Sequence, residues 1–128
     1  TVDIISTTGT ISCTIEIKAL PKPRMTQRDK WAPREVVLAY YSYCDQLRAA
    51  FNRAAKFHRA EKLTLTVVFK AEGKEHWGKP HNRTPDLDNI IKGVMDAVLI
   101  RDETVQRILA TKEYGPEDLM VIELEGVE

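Results

Sequence analysis

The sequence has no apolar run long enough to cross a membrane and no visible secretory hydrophobic segment. A membrane partner is therefore not expected. It has only two cysteines, Cys13 and Cys44. Two isolated thiols make neither a zinc motif nor a disulfide framework. Cys44 falls on an apolar helical stripe and reads as a small packed hydrophobe. A reduced, cytoplasmic setting is the simplest inference. The three histidines, His58, His76 and His81, form no HxxxH-type pair, which argues against zinc. There is no internal repeat and no low-complexity segment. The chain opens at Thr1, read as the trace of a removed initiator or short leader.

What is present suits one domain spanning 1–128, since 128 residues at 43% hydrophobic content can build one core. The formal net charge is zero, which on its face argues against a nucleic-acid binder. The distribution argues the other way. Lys22, Arg24, Arg28, Lys30 and Arg34 crowd a Pro-rich stretch in which Asp29 is the only acid. Lys70, Lys74, Lys79 and Arg83, with His76 and His81, populate a second basic stretch. The acids gather between 86 and 102 and in the run from Glu113 to Glu128. A neutral total can hide a basic face beside an acidic pocket. Either loop alone could be solvated surface. Both flanking one carboxylate cluster favours phosphate contact, with Lys22, Arg24, Arg28, Lys30, Lys79 and Arg83 as the DNA-binding candidates.

Thr1 to Thr10 is polar, a frayed end or an added edge strand. Ile11 to Ala19 alternates, with Ile11, Cys13, Ile15 and Ile17 on one side, as a half-buried strand does. Pro21, Pro23 and Pro33 forbid a regular element from Leu20 to Arg34. A helical stripe follows from about Arg34 to Phe57. Lys62 to Lys70 is a strand rich in β-branched residues, with Leu63, Leu65, Val67 and Phe69 sharing a face. Ala71 to Pro85 is a long loop of the kind that is usually functional or mobile. A second helix reads from about Asp86 to Ile100, then strands from Gln106 to Tyr114 and from Leu119 to Leu124. The order β-α-β-α-β-β predicts an α/β (α+β) fold: a small mixed sheet of about four strands with two helices packed on it. The tight turn at Gly115–Asp118 predicts that the last two strands are antiparallel neighbours.

The most informative stretch runs from Thr84 to Lys92. Leu87, Ile90, Ile91, Val94, Met95 and Val98 recur at helical spacing. Asp88, Lys92 and Asp96 lie at i, i+4 and i+8, so they stack along the opposite side. Asp86 falls at the helix mouth. Asp102 follows the helix and could fold back toward that mouth. Several carboxylates with one lysine can hold a hard divalent cation over a phosphate. The bland alternative is a solvated face: acids suit a helix N-terminus, and Asp88–Lys92 is an ordinary i,i+4 pair. Spacing alone favours that alternative, because short motifs match by chance.

The pattern Asp86-x-Asp88-Asn89-x-x-Lys92-x-x-x-Asp96-Ala97, followed by Asp102-x-x-Val105, resembles the signature of the RusA family of Holliday junction resolvases, small endonucleases of phages and prophages. Pro21-Lys22-Pro23-Arg24, Tyr40 to Arg48, and Lys112-x-Tyr114-Gly115 resemble the phage-type branch. The resemblance extends from about Ile11 to Leu124. It implies a structure-selective endonuclease acting on four-way junction DNA by paired nicks, in recombination and repair. It implies Mg²⁺, with Mn²⁺ as the alternative, held by Asp86, Asp88 and Asp102. Lys92 would be a point charge at the phosphate. Asp96 would be a further ligand or would orient Lys92. A homodimer with two sites is implied, because a four-way junction is nearly two-fold symmetric. The family pattern often carries a second acid beside the Asp102 position; here Arg101 precedes it and Glu103 follows. A non-catalytic branched-DNA-binding protein with a degenerate acidic site is therefore the rival reading. Trp77 and Trp31 could stack on DNA or anchor their loops.

Overall fold

The computed structural model describes residues 2–7 and 9–128, with side chains described from Gly9 onward. Five strands form one sheet: β1 (Val2–Thr7), β2 (Thr10–Ile15), β3 (Lys62–Lys70), β4 (Arg107–Gly115) and β5 (Leu119–Glu125). Helix α1 (Glu35–Ala50) links β2 to β3, and α2 (Leu87–Val98) links β3 to β4. The expected mixed sheet with two helices is present, in the expected order, with β1 added at the edge against β2. Thr1 and Thr8, also within the N-terminal stretch read from sequence, lie outside the described residues.

The strand order is β1-β2-β5-β3-β4. This corrects the expected pairing of the last two strands. β5 runs antiparallel between β2 and β3, whereas β4 lies parallel to β3 on its other side. Burial explains the choice. Met120, Ile122 and Leu124 of β5 are fully buried, as a central strand requires. Ile108 and Leu109 of β4 stay exposed, which only an edge position tolerates. The turn between them crosses the end of β3, where the Lys70 amide donates to the Asp118 carboxylate at 3.0 Å and the Ala71 amide to the Gly115 carbonyl at 2.9 Å.

Register puts the alternating apolar residues into rows across the sheet. Cys13, Ile122 and Leu65 form one row, and Ile15, Met120 and Val67 the next. Both helices cover this face. The Tyr43 hydroxyl reaches Met120 Sδ at 3.4 Å, and the Tyr40 hydroxyl donates to the Gly93 carbonyl at 3.4 Å, joining α1 to α2. Burial pushes the Cys13 thiol up to about 12, so it stays protonated in the core. Helix α1 stops well short of the expected Phe57, because Asn52 adopts a left-handed conformation (φ 59°) that ends the helical path.

β2, β3 and β4 all run in one direction, so their carboxyl ends meet at one edge of the sheet. The loops 16–34 and 71–86 leave from that edge. So does the N-terminus of α2. Both basic stretches therefore share an end of the molecule with Asp86 and Asp88.

Candidate active site

Helix α2 begins where the sequence predicts, with Asp86 as its N-cap. An aspartate there normally accepts an amide of the first turn. The Asp86 side chain makes no such bond and is exposed. Asp88 and Lys92 are exposed too, and no ion pair joins either to another side chain among the described residues. The ordinary i,i+4 pair is thus not formed.

The other expected members are placed differently. Asp96 accepts the Lys22 ammonium across 74 positions of sequence, so it neither stands free nor pairs with Lys92. Asn89 fixes the same segment by donating to the Lys22 carbonyl at 3.2 Å. Asp102 opens a short 3-10 turn, Asp102–Thr104, beyond the C-terminus of α2. It lines a cleft of about 500 Å³ with Asp96, Lys22, Tyr40 and Arg48, while Asp86 lines a separate cavity with Lys18, Pro21 and Asn89. The twelve residues of α2 span about 18 Å, which keeps the two ends apart. Asp102 therefore does not fold back to the helix mouth. Among the described residues, no group of three or more acid, histidine or cysteine side chains stands ready for a metal.

Two carboxylates nevertheless suit one hard cation. Magnesium takes oxygen ligands, keeps several waters, and is commonly held by one or two carboxylates together with substrate phosphates. The uncommitted oxygens of Asp86 and Asp88 fit that demand, and manganese accepts the same oxygen donors.

The Pro-rich basic loop is built around Asp29, which is only 6% exposed. Its carboxylate accepts the Thr26 amide and hydroxyl, each at 2.9 Å, and the Arg34 guanidinium at 3.0 and 3.1 Å. The Arg34 side chain and these donors hold the acid well below the usual carboxylate range. Arg34 is thereby used inside the loop, while Arg24, Arg28 and Lys30 remain exposed. Trp31 is 79% exposed; Trp77 anchors its own loop, its indole N–H donating to the Ala71 carbonyl at 2.9 Å.

Two residues near the site, both named from the sequence, have structural roles that it did not give them. Lys112 sits at a helix-facing register position of β4, in line with Ile108, Ala110 and Tyr114. Its ammonium grips the carbonyls of Arg83 at 2.6 Å and Pro85 at 2.8 Å, holding the loop that delivers Asp86. A charge at an inward strand position was the available signal. His81 stacks on Phe69 at 4.1 Å, and its Nδ1 is buried without a hydrogen-bond partner. Burial, reinforced by Lys112 and Arg83, lowers its pKa.

Compared with known proteins, the chain matches the model of one family, described as Endodeoxyribonuclease RusA, over residues 15–125. No curated protein and no solved structure matches it.

Proposed function

We propose that this chain, which belongs to the RusA family of endodeoxyribonucleases, resolves Holliday junctions by paired, magnesium-dependent nicks, using Asp86, Asp88 and Lys92. The family makes it a metal-dependent nuclease of DNA recombination. The observation that carries the assignment is an N-cap aspartate that does not cap. Asp86 leaves its carboxylate uncommitted beside Asp88, with Lys92 one turn on. The chemistry supplied by a bound metal is activation of water and neutralisation of charge on the phosphoryl oxygens. Asp86 and Asp88 would hold that metal at the mouth of α2. Lys92 would face the scissile phosphate and stabilise the leaving oxygen, where charge grows in the transition state. Arg24, Arg28, Lys30, Lys79 and Arg83 would hold the neighbouring phosphates. On the family pattern alone the proposal extends to Asp102. If it belongs to the machinery, Asp102→Asn removes cleavage; a wall residue of the cleft leaves cleavage intact.

Two nicks placed symmetrically in a four-way junction require two sites, so the working form would be a homodimer in the cytoplasm, each copy a single nuclease domain. The test is incubation with a synthetic four-way junction and a matched linear duplex, with and without magnesium. Paired nicks in the junction alone, leaving 5′-phosphate and 3′-hydroxyl ends, are expected. The lack, among the described residues, of a third acid beside Asp86 and Asp88 supports one rival, a protein that binds junctions without cutting them. Binding with no metal-dependent product would establish that rival instead.

A further inference from the structure

Several cations of this chain are already engaged. Lys22 pairs with Asp96, Arg34 with Asp29, Arg48 with Asp45, Lys62 with Glu125 and Arg101 with Glu103. Lys112 is bound to loop carbonyls. Three others converge on one cleft and carry no ion pair among the described residues. Lys18 comes from the segment after β2, Lys70 from the end of β3, and Arg83 from the loop before α2. The cleft holds about 450 Å³ and lies between the His81–Phe69 stack, Tyr114 and Pro85. Glu72 and Asp118 also line it, so three cationic side chains face two carboxylates. Lys18, Thr84 and Pro85 line both this cleft and the cavity of Asp86, so the two are contiguous.

We propose that this cleft is a second phosphate subsite, in which Lys18, Lys70 and Arg83 seat a backbone phosphodiester of the strand being cut, next to the position held at Asp86. The inference rests on the nuclease reading given above. Lys18 lies outside both basic stretches that sequence spacing selects, and Lys70, at the head of the second, is not among the DNA-binding candidates drawn from them. Their geometry has a clear use. A strand gripped on the far side of Pro85 cannot slide along α2, so the phosphate beside Asp86 is set by the one in the cleft. Lys112 keeps the wall of the cleft in place through the Pro85 carbonyl.

The test is the salt dependence of junction binding, measured by fluorescence anisotropy with a labelled four-way junction and no divalent metal. A Lys18→Ala/Lys70→Ala variant should bind more weakly. Its log–log slope against salt should flatten by up to about 0.7–0.9, the share of the one phosphate that the cleft neutralises. A Lys18→Arg/Lys70→Arg variant should keep the wild-type slope. An Arg53→Ala/Arg107→Ala control removes two cations from the opposite end of the strands and should leave the slope unchanged. Excess inorganic phosphate distinguishes the sources: a strand phosphodiester predicts competition by a short single-stranded oligonucleotide far below the concentration at which inorganic phosphate competes. A wild-type slope in the double alanine variant overturns the subsite. So does an equal loss of slope in the control or in the arginine variant, or equal competition by the two anions. Absence of cleavage by the wild-type protein would instead overturn the nuclease reading, which this binding assay leaves separate.

Discussion

Replacing Lys92 by alanine separates catalysis from structure. Lys92 is exposed and makes no ion pair with Asp88 among the described residues, and Asp96 is taken by Lys22. Its loss therefore breaks no contact that holds the fold. Alanine is at least as good a helix former as lysine. The stability change should stay within about 0.5 kcal/mol, the scale of an exposed helix pair even if one forms transiently. Catalysis should respond differently. Loss of one electrostatic stabiliser of a developing oxyanion costs about a hundredfold or more in rate, roughly 2.7 kcal/mol of barrier. The assay is single-turnover cleavage of a labelled four-way junction at saturating protein, beside a thermal melt of the same preparation. The melt should be nearly unchanged and the rate at least a hundredfold lower. Junction affinity should fall far less, because Arg24, Arg28, Lys30, Lys79 and Arg83 still meet the phosphates. Lys92→Arg restores charge but not the compact ammonium geometry, so partial rescue is expected. A Lys92→Ala protein that cuts at the parental single-turnover rate would falsify the catalytic role and leave this helix face as solvated surface.

Asp88→Asn should nearly abolish nicking while junction binding persists or tightens, since the amide keeps the shape but loses the charge that binds metal and repels phosphate; gel-shift and cleavage assays on one preparation check this. Gly115→Ala should lower stability by about 1–3 kcal/mol in a denaturant titration, because a β-carbon there would overlap the stiff Val68 side chain at the crossing over β3. His81 is depressed from its ordinary value of 6.5, so the folded state favours the neutral ring. The unfolded chain then binds the proton more readily, and the stability that His81 contributes is complete above about pH 6.5 and lost as the pH falls through the lower folded value. A His81→Phe variant should show a flatter fall in melting temperature on acidification below that pH; an unchanged slope would remove His81 from the balance.

Much of the fold was legible because local periodicity carries it. The alternation of Leu63, Leu65, Val67 and Phe69 gave β3 with its observed limits, and the 3.6-residue stripe with Asp86 ahead of it placed the start of α2. Sheet order was not legible. Nothing in the turn at Pro116–Asp118 says that the chain crosses β3; that follows from the burial of β5 and the exposure of β4, which only the assembled sheet decides. The site divides in the same way. Asp86, Asp88 and Lys92 are neighbours on one element, so spacing found them. The Asp96–Lys22 pair joins residues 74 positions apart, and Asp29 builds its loop through partners on both sides. Such pairings depend on packing, and charge counts along the chain read Lys22 and Arg34 as free cations when both are engaged.

The separation of the acids bears on how metal and DNA would bind. A site with three preformed carboxylates would hold magnesium without substrate and would be strained by like-charge repulsion until it did. Here Asp86 and Asp88 stand at one end of α2 and Asp102 beyond the other, so among the described residues neither the repulsion nor the preformed cage is present. Two exposed carboxylates give a weak site, and a phosphate oxygen would complete it. Metal and junction should therefore bind with positive coupling, each raising the affinity for the other by one shared factor. With magnesium near its own Kd, mass action adds only about 0.4 kcal/mol of stability, little visible in a melt. The expected result is a melting temperature almost indifferent to magnesium alone, and junction affinity that rises with magnesium in an uncleavable complex such as one formed by Lys92→Ala. Calorimetric titration of magnesium with and without junction measures the same coupling from the other side. A large magnesium-induced rise in melting temperature without DNA would mean that a third acid does join Asp86 and Asp88, and the two-carboxylate site would have to be abandoned.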